Sequence, residues 1–288
     1  MPTDPVRLKR NVLCAMVQLE HPIFLIGCGR SGTTILGRTL AEHRGLHYLN
    51  EPRDLWVRAY PICDVWSERA PQRNGRLVLT AKDSTWWRTV RLTRLFARSL
   101  ADAGRTRLLE KLPANAFRVR FVHALFPDAL FVHLLRNGIE VARSIARECE
   151  IGPWYGIGDY KWHQLVSLAA RDPALAALPA RCRAPYERGL LEWRLAVEAS
   201  LEATAALPAR QQLAVRYEEL LTAPARTVRR IEHFLGLDHD PAVSDYAERS
   251  IARRSEPAGR SAVTDDATSI AGPLLVQLGY ATPGHDES

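Results

Sequence analysis

Residues 27–34, with the sequence GCGRSGTT, have the residue types that most directly suggest chemistry. This segment follows the apolar run PIFLIG and precedes a stretch of helical period, which predicts that it joins a strand to a helix. Glycines let the backbone turn tightly, so that its N–H groups and the helix N-terminus can point at one anion. We therefore predict an anion site. Its predicted ligands are Gly29, Arg30, Ser31, Gly32, Thr33 and Thr34.

The segment departs from the Walker pattern G-x-x-x-x-G-K-[ST], because Thr33 occupies the lysine position and the nearby cation is Arg30. A magnesium-dependent phosphate-loop enzyme also needs an apolar strand that ends in Asp. The clearest buried-strand pattern, DALFVHLLR, ends instead in Arg136. These departures argue against metal–nucleotide chemistry and favour a nucleotide held by arginine and hydroxyl groups. A phosphate-loop kinase and a nucleotide-binding protein without catalysis are the alternatives.

Strands and helices must position the anion site, and the hydrophobic pattern predicts where they lie. Short apolar runs alternate with longer stretches of helical period, which is typical of a parallel sheet covered by helices. The predicted strands are residues 22–27, 46–50, 107–111, 128–136 and 212–217. The predicted helices are residues 33–43, 84–103, 115–126, 137–148, 160–171, 185–206, 222–235 and 270–278. With no internal repeat or low-complexity linker, this pattern predicts a single α/β domain.

Several segments together carry a resemblance to the sulfotransferases that use 3′-phosphoadenosine 5′-phosphosulfate (PAPS). FLIGCGRSGTT resembles the family's 5′-phosphosulfate loop. FPDALFVHLLRNGIEVARS resembles its 3′-phosphate segment, in which an arginine ends a strand and a serine follows eight residues later, as Arg136 and Ser144 do. EKLPAN resembles the segment with an active-site lysine, here Lys111. VRYEELLTAP resembles the turn whose tyrosine, here Tyr217, lies near the adenine.

A further match, AGPLLVQLGY, resembles the C-terminal helix of the branch that contains the protein-tyrosine sulfotransferases. The matches run in order from residue 22 to residue 280. The resemblance implies one sulfotransferase domain over residues 1–288, with its core at about 22–280 and a phosphate-loop-like fold. It implies sulfuryl transfer from PAPS to a hydroxyl acceptor (a small molecule, a glycan or a peptide) by in-line displacement and without metal. The closest branch is the tyrosylprotein and carbohydrate type, in a bacterial-like cytosolic form.

Sulfuryl transfer requires a base, because the acceptor oxygen loses its proton as it attacks sulfur. Glu51, in LNEPRDLW after the second predicted strand, matches the glutamate base of the tyrosine- and carbohydrate-directed branches. Asp54 and His47 are the rival bases. Lys111 and Arg30 are expected to stabilise the charge that builds as the bond to sulfur breaks. An ion pair between Lys111 and Glu110 is the alternative, although neighbours on a strand point to opposite faces.

Two aromatic-rich regions fall outside the aligned segments. Residues 52–80 and 149–185 are predicted to form the acceptor site or a lid over it, although their aromatic side chains could equally belong to the core. A loose match at residues 253–260 is the candidate cover of the 3′-phosphate.

Composition excludes several classes of protein. The 288 residues are 47% hydrophobic and 25% charged, as in globular proteins with a large core. No apolar run approaches the roughly 20 residues that span a bilayer, and the N-terminus is a poor secretory signal, so a cytoplasmic protein without membrane contact is expected. The net charge of +7 is spread along the chain, which argues against nucleic-acid binding and is compatible with a small polyanion. The five cysteines and nine histidines lack the spacing of a metal site.

Overall fold

The computed structural model describes residues 19–251 and 265–281. A five-stranded sheet lies at its centre, and every neighbouring pair of strands is parallel. The strands are β1 (Ile23–Ile26), β2 (Leu46–Asn50), β3 (Arg107–Lys111), β4 (Leu130–Leu135) and β5 (Gln212–Arg216). Their order in the sheet is β2-β3-β1-β4-β5. The predicted α/β class and all five predicted strands are confirmed.

The helices cover both faces of the sheet, as the continuous apolar runs of its central strands require. They are α1 (Thr33–Leu40), α2 (Arg53–Ala59), α3 (Trp86–Asp102), α4 (Val119–Leu125), α5 (Gly138–Ile151), α6 (Tyr160–Ala169), α7 (Pro185–Ala205), α8 (Tyr217–Thr222), α9 (Pro224–Leu235), α10 (Pro241–Ile251) and α11 (Asp265–Gln277). Helices α1, α9 and α10 pack on the face that carries Ile23 and Leu25 of β1. Helices α3, α4, α5, α7 and α11 pack on the face that carries Phe24 and Ile26.

This arrangement opens a crevice at the carboxyl ends of β1 and β4. The two strands are neighbours, with Ile26 paired to His133, but the helices that follow them cover opposite faces of the sheet. In open α/β sheets, ligands bind in the crevice where successive connections diverge in this way. The crevice is therefore where the fold itself favours a binding site.

The structure differs from the sequence prediction in three helices. One of them, α8 (Tyr217–Thr222), lies between the end of the predicted strand 212–217 and the predicted helix 222–235. Residues 53–59, predicted to be irregular, form α2, and residues 241–251, for which no helix was predicted, form α10. In α10 the buried side chains are mostly small, and Val243, Ala247 and Ile251 recur at intervals of four among polar residues, so the apolar period is weak. Gly236 ends α9 in the left-handed conformation, with φ of 65°, as expected of a helix C-cap.

Among the described helices, none combines the length and the apolar character that crossing a bilayer requires.

Candidate active site

The loop between β1 and α1 depends on its glycines. Gly32 has φ of 94°, and a Cβ atom there would lie 2.4 Å from the ring of Tyr217. A Cβ atom on Gly27, which has φ of 154°, would lie 2.6 Å from the carbonyl oxygen of Leu134. Gly32 caps α1 without a side-chain hydrogen bond, so the first N–H groups of the helix remain available to an anion. The loop thus has the geometry that the sequence predicted for it.

A cavity of about 240 Å³ lies at this loop. Ten of the eleven candidate site residues line it: Gly29, Arg30, Gly32, Thr33, Thr34, Glu51, Lys111, Arg136, Ser144 and Tyr217. The eleventh, Ser31, is buried in the turn, where its N–H donates to the carbonyl of Cys28. Residues taken from five separate segments of the sequence therefore meet at one place.

One side of the cavity is built from arginines. Arg136 follows the end of β4, and its Nη1 donates to the carbonyl oxygen of Arg30 over 3.0 Å. Its guanidinium carbon lies 4.5 Å from the centre of the Tyr217 ring. Arg30 Nε donates to Ser144 Oγ over 3.1 Å, and Arg30 Nη2 lies 2.8 Å from Glu148 Oε1. Two guanidinium groups and a hydroxyl are thus concentrated beside the loop, an arrangement suited to phosphate oxygens.

The opposite side holds Glu51 and Lys111, which the sheet places next to each other. The last residues of β2 and β3, Asn50 and Lys111, are paired in register. The N–H of Glu51 donates to the carbonyl of Lys111 over 2.7 Å. Lys111 Nζ lies 2.7 Å from Glu51 Oε1 and donates to Thr34 Oγ1 over 2.9 Å. The second carboxylate oxygen of Glu51 lies 2.6 Å from Arg53 Nη2.

These partners keep Glu51 ionised. Burial on its own raises the pKa of Glu51, but the charges and hydrogen bonds of Lys111 and Arg53 outweigh it and hold the pKa below its ordinary value. Burial lowers the pKa of Lys111, while the facing carboxylate of Glu51 opposes that effect. The lowered pKa makes this carboxylate a weaker base, and its basicity rises when one of these partners moves away.

The rival bases lie elsewhere in the structure. Asp54 is exposed on α2 and lines neither this cavity nor the larger one described below. His47 Nε2 is 2.9 Å from Ser99 Oγ, also away from both cavities. The alternative pairing of Lys111 with Glu110 does not occur, because Glu110 faces the other side of β3. There it accepts hydrogen bonds from Trp56 and Asn115. Complete burial raises the pKa of Glu110 to about 8.

A second cavity of about 400 Å³ adjoins the first. Both are lined by Gly29, Arg30, Glu51, Pro113 and Trp154. The larger cavity is also lined by residues of the two unaligned regions, namely Arg53, Trp66, Leu77, Pro153 and Lys161. Both regions thus contribute side chains to a space that opens onto Glu51.

Four charged residues at the cavities escaped the sequence analysis: Arg53, Glu148, Lys161 and Glu192. Glu148 lies one turn after Ser144 on α5, so its helical spacing could have placed it on the same face. Arg53 lies two residues after Glu51, in the same segment LNEPRDLW, so the sequence alone could have identified it. Glu192 comes from α7, and no local signal in the sequence relates it to the loop.

Two further expectations concern metal and the 3′-phosphate cover. Within residues 19–251 and 265–281, no group of three or more His, Cys, Asp and Glu side chains is arranged to hold a metal ion. The predicted cover at residues 253–260 lies outside the described residues.

Comparisons with known proteins bear on the family and the fold of the chain. Residues 22–241 match the sulfotransferase family. The nodulation protein NoeE of Sinorhizobium fredii is 27% identical over 89% of the chain, which spans 65% of the length of that relative. The sulfotransferase domain of the Synechococcus PCC 7002 olefin synthase has a TM-score of 0.54 at 20% identity, covering 92% of this chain and all of that domain.

The sulfotransferase domain of the curacin biosynthetic pathway has the same TM-score, 0.54, at 14% identity and the same coverage of both chains. At these identities the solved structures establish the fold, while the family match extends over the loop, both cavities and all five strands. The chain belongs to the sulfotransferase family.

Proposed function

We propose that this protein transfers the sulfuryl group of PAPS to a hydroxyl acceptor, with Glu51 as the general base. One observation carries the proposal. Glu51 lies on the boundary between a cavity lined by the phosphate loop and two arginines and a second, larger cavity. A base in that position faces both a bound anion and whatever occupies the larger space. This is the geometry that in-line transfer between two substrates needs.

The smaller cavity fits a donor with two separate phosphate-type groups. The N-terminus of α1 and the hydroxyls of Thr33 and Thr34 suit the 5′-phosphosulfate. Arg136 and Ser144, on the other side of Arg30, suit the 3′-phosphate. The ring of Tyr217, which already packs against a guanidinium, offers a flat surface to an adenine.

The donor supplies an activated sulfuryl group, and the chain's own residues assist its transfer. Glu51 takes the proton of the acceptor hydroxyl as that oxygen attacks sulfur. Lys111, held by Thr34 beside the loop, and Arg30 stabilise the negative charge that develops on the leaving phosphate and on the sulfuryl oxygens. As Lys111 turns towards that charge it releases Glu51 Oε1, and the carboxylate becomes a stronger base.

The larger cavity is the proposed acceptor site. Trp66 and Trp154 offer flat apolar surfaces there, and three cation–carboxylate pairs surround the space: Arg30–Glu148, Arg53–Glu51 and Lys161–Glu192. Because each charge in the wall already has a partner, an uncharged hydroxyl compound can enter without leaving a buried charge unpaired.

Separate titrations of the purified protein with PAPS, with its desulfated product and with magnesium–ATP test the proposal. We expect the two 3′-phosphorylated nucleotides to raise the unfolding temperature, and PAPS to sulfate a phenol acceptor. Stabilisation by magnesium–ATP alone would identify a phosphate-loop kinase instead. Binding of PAPS with no turnover on a panel of phenols, alcohols and sugars would identify a nucleotide-binding protein without catalysis.

A further inference from the structure

Trp154 occupies the boundary between the two cavities. It lines both of them, and among the described residues no other aromatic side chain does so. It lies in the segment between α5 and α6, within one of the regions that the sequence left unaligned. A side chain in this place lies beside the path between the group being transferred and the space where an acceptor would enter.

The indole is fixed on its polar edge by a buried ion pair. Trp154 Nε1 donates to Glu192 Oε2 over 2.8 Å, and Glu192 Oε1 lies 2.6 Å from Lys161 Nζ. The same ammonium lies 4.5 Å from the centre of the indole ring. Glu192 and Lys161 are 3% and 8% exposed, so neither charge is free to leave its partner for water. The pair therefore holds the ring in one orientation.

The other edge of the indole rests on the phosphate loop. A Cβ atom on Gly29 would lie 2.7 Å from Cη2 and 2.8 Å from Cζ2 of Trp154. Only a glycine at this position lets the ring approach the loop so closely. The contact connects α7, through Glu192 and Trp154, to the backbone that would surround the sulfuryl group.

We infer that Trp154 is a positioning residue that closes this boundary to water and aligns the acceptor, with Glu192 and Lys161 fixing its ring. The inference rests on the proposed function. Without the ring, water competes with the acceptor: its oxygen bonds to sulfur, and the bond from sulfur to the bridging phosphate oxygen breaks. Sulfate and 3′-phosphoadenosine 5′-phosphate are released, and the two protons of the water pass to solvent or to the released 5′-phosphate.

The test compares sulfate release with acceptor sulfation in four proteins: the wild type, Trp154→Ala, Trp154→Phe and Glu192→Gln. Trp87→Ala, at an indole that is 73% exposed on α3, is the matched control. For Trp154→Ala we expect a ratio of hydrolysis to transfer at least about 10-fold higher and a raised acceptor KM, because water is no longer excluded. Affinity for the desulfated nucleotide should change less than about 3-fold, since the phosphate contacts remain.

Trp154→Phe keeps an aromatic ring against Gly29, so its ratio of hydrolysis to transfer and its acceptor KM should be close to those of the wild type. Glu192→Gln keeps the shape of the side chain that fixes the indole but weakens the hydrogen bond. Its ratio of hydrolysis to transfer should lie between those of Trp154→Phe and Trp154→Ala. A folded Trp154→Ala protein that binds nucleotide and retains the wild-type ratio and acceptor KM overturns the inference. Equal losses of nucleotide binding, transfer and hydrolysis also overturn it, because they indicate a purely structural role. A wild type that neither transfers nor hydrolyses PAPS rejects the proposed function itself.

Discussion

The carboxylate of Glu51 lies 2.7 Å from the ammonium of Lys111, at the paired ends of two neighbouring strands. The sheet sets this distance, because the N–H of Glu51 continues the hydrogen bonding of the strand ends by donating to the carbonyl of Lys111. The proposed base and the proposed charge-stabilising cation therefore share one rigid support. Their separation does not depend on a flexible loop.

Glu51→Gln keeps the size of the side chain and removes the basic oxygen. We expect turnover to fall about 10²- to 10⁴-fold, the usual contribution of a positioned base, with little change in nucleotide affinity. The loss should be smaller for acidic phenols than for aliphatic alcohols, which part with a proton less readily. Steady-state kinetics with both acceptor types measure this.

Asp54→Asn is the matched control, since Asp54 is exposed and lines neither cavity. Near-normal turnover in Glu51→Gln, together with its loss in Asp54→Asn or His47→Ala, would reassign the base.

Arg53→Gln should move the acid limb of the kcat/KM profile to higher pH. In the wild type Glu51 stays ionised below its ordinary pKa, so that activity persists as the pH falls. Removing one cation raises the pKa of Glu51, so the carboxylate becomes protonated at a higher pH. Arg58→Gln, on the exposed side of the same helix, should leave the profile unchanged. If the acid limb lies at the same pH in the wild type and in Arg53→Gln, the group whose protonation causes that limb is not Glu51.

Arg136→Ala should weaken the binding of 3′-phosphorylated nucleotides far more than that of analogues without the 3′-phosphate. A charge-assisted contact contributes about 1.5–3 kcal/mol, or roughly 10- to 100-fold in affinity. Calorimetric titration with both nucleotides gives the comparison, and Arg147→Ala, exposed on α5, controls for the loss of charge. Equal losses for the two nucleotides would place the 3′-phosphate elsewhere.

Glu148→Gln should tighten nucleotide binding. The carboxylate of Glu148 pairs with Arg30 over 2.8 Å, and a phosphosulfate that recruits this arginine has to displace it. Exposed pairs contribute about 0–1 kcal/mol, so the gain should reach about 5-fold at low salt and shrink as salt is added. Glu202→Gln, which removes the carboxylate of the remote Arg120–Glu202 pair, is the control. Weaker binding in Glu148→Gln would show that Glu148 orients Arg30 rather than competing for it.

His133 should make the fold less stable in mild acid. Burial on β4 lowers the pKa of His133 to about 4 from an ordinary value of 6.5. Between these values the unfolded chain binds a proton that the folded chain excludes, so stability falls as the pH drops from about 6.5 to 4, by on the order of 3 kcal/mol. Urea unfolding across this range should show a shallower pH dependence in His133→Gln. The exposed His233→Gln should follow the wild type, and parallel curves for all three proteins would contradict the assignment.

The sequence predicted the parts of the site that are local in the chain. The loop, the arginine after β4 and the serine two turns later follow from short-range spacing, and apolar runs were sufficient to locate all five strands. The ion pairs Lys161–Glu192 and Arg53–Glu51 could be identified only from the structure. The first joins residues 31 positions apart on separate helices, and the second depends on a backbone bend at Glu51. Helix α10 escaped because small and polar side chains dilute its apolar period.

The backbone at Glu51 has φ of 52°, in the left-handed region that residues other than glycine and asparagine rarely adopt. Such a conformation disfavours folding by about 1–2 kcal/mol relative to glycine. Glycine at position 51 would relieve this strain and would also remove the proposed base. Directed evolution for heat resistance alone would therefore be drawn towards inactive variants at this position, and a library intended to yield a robust catalyst should hold residue 51 constant.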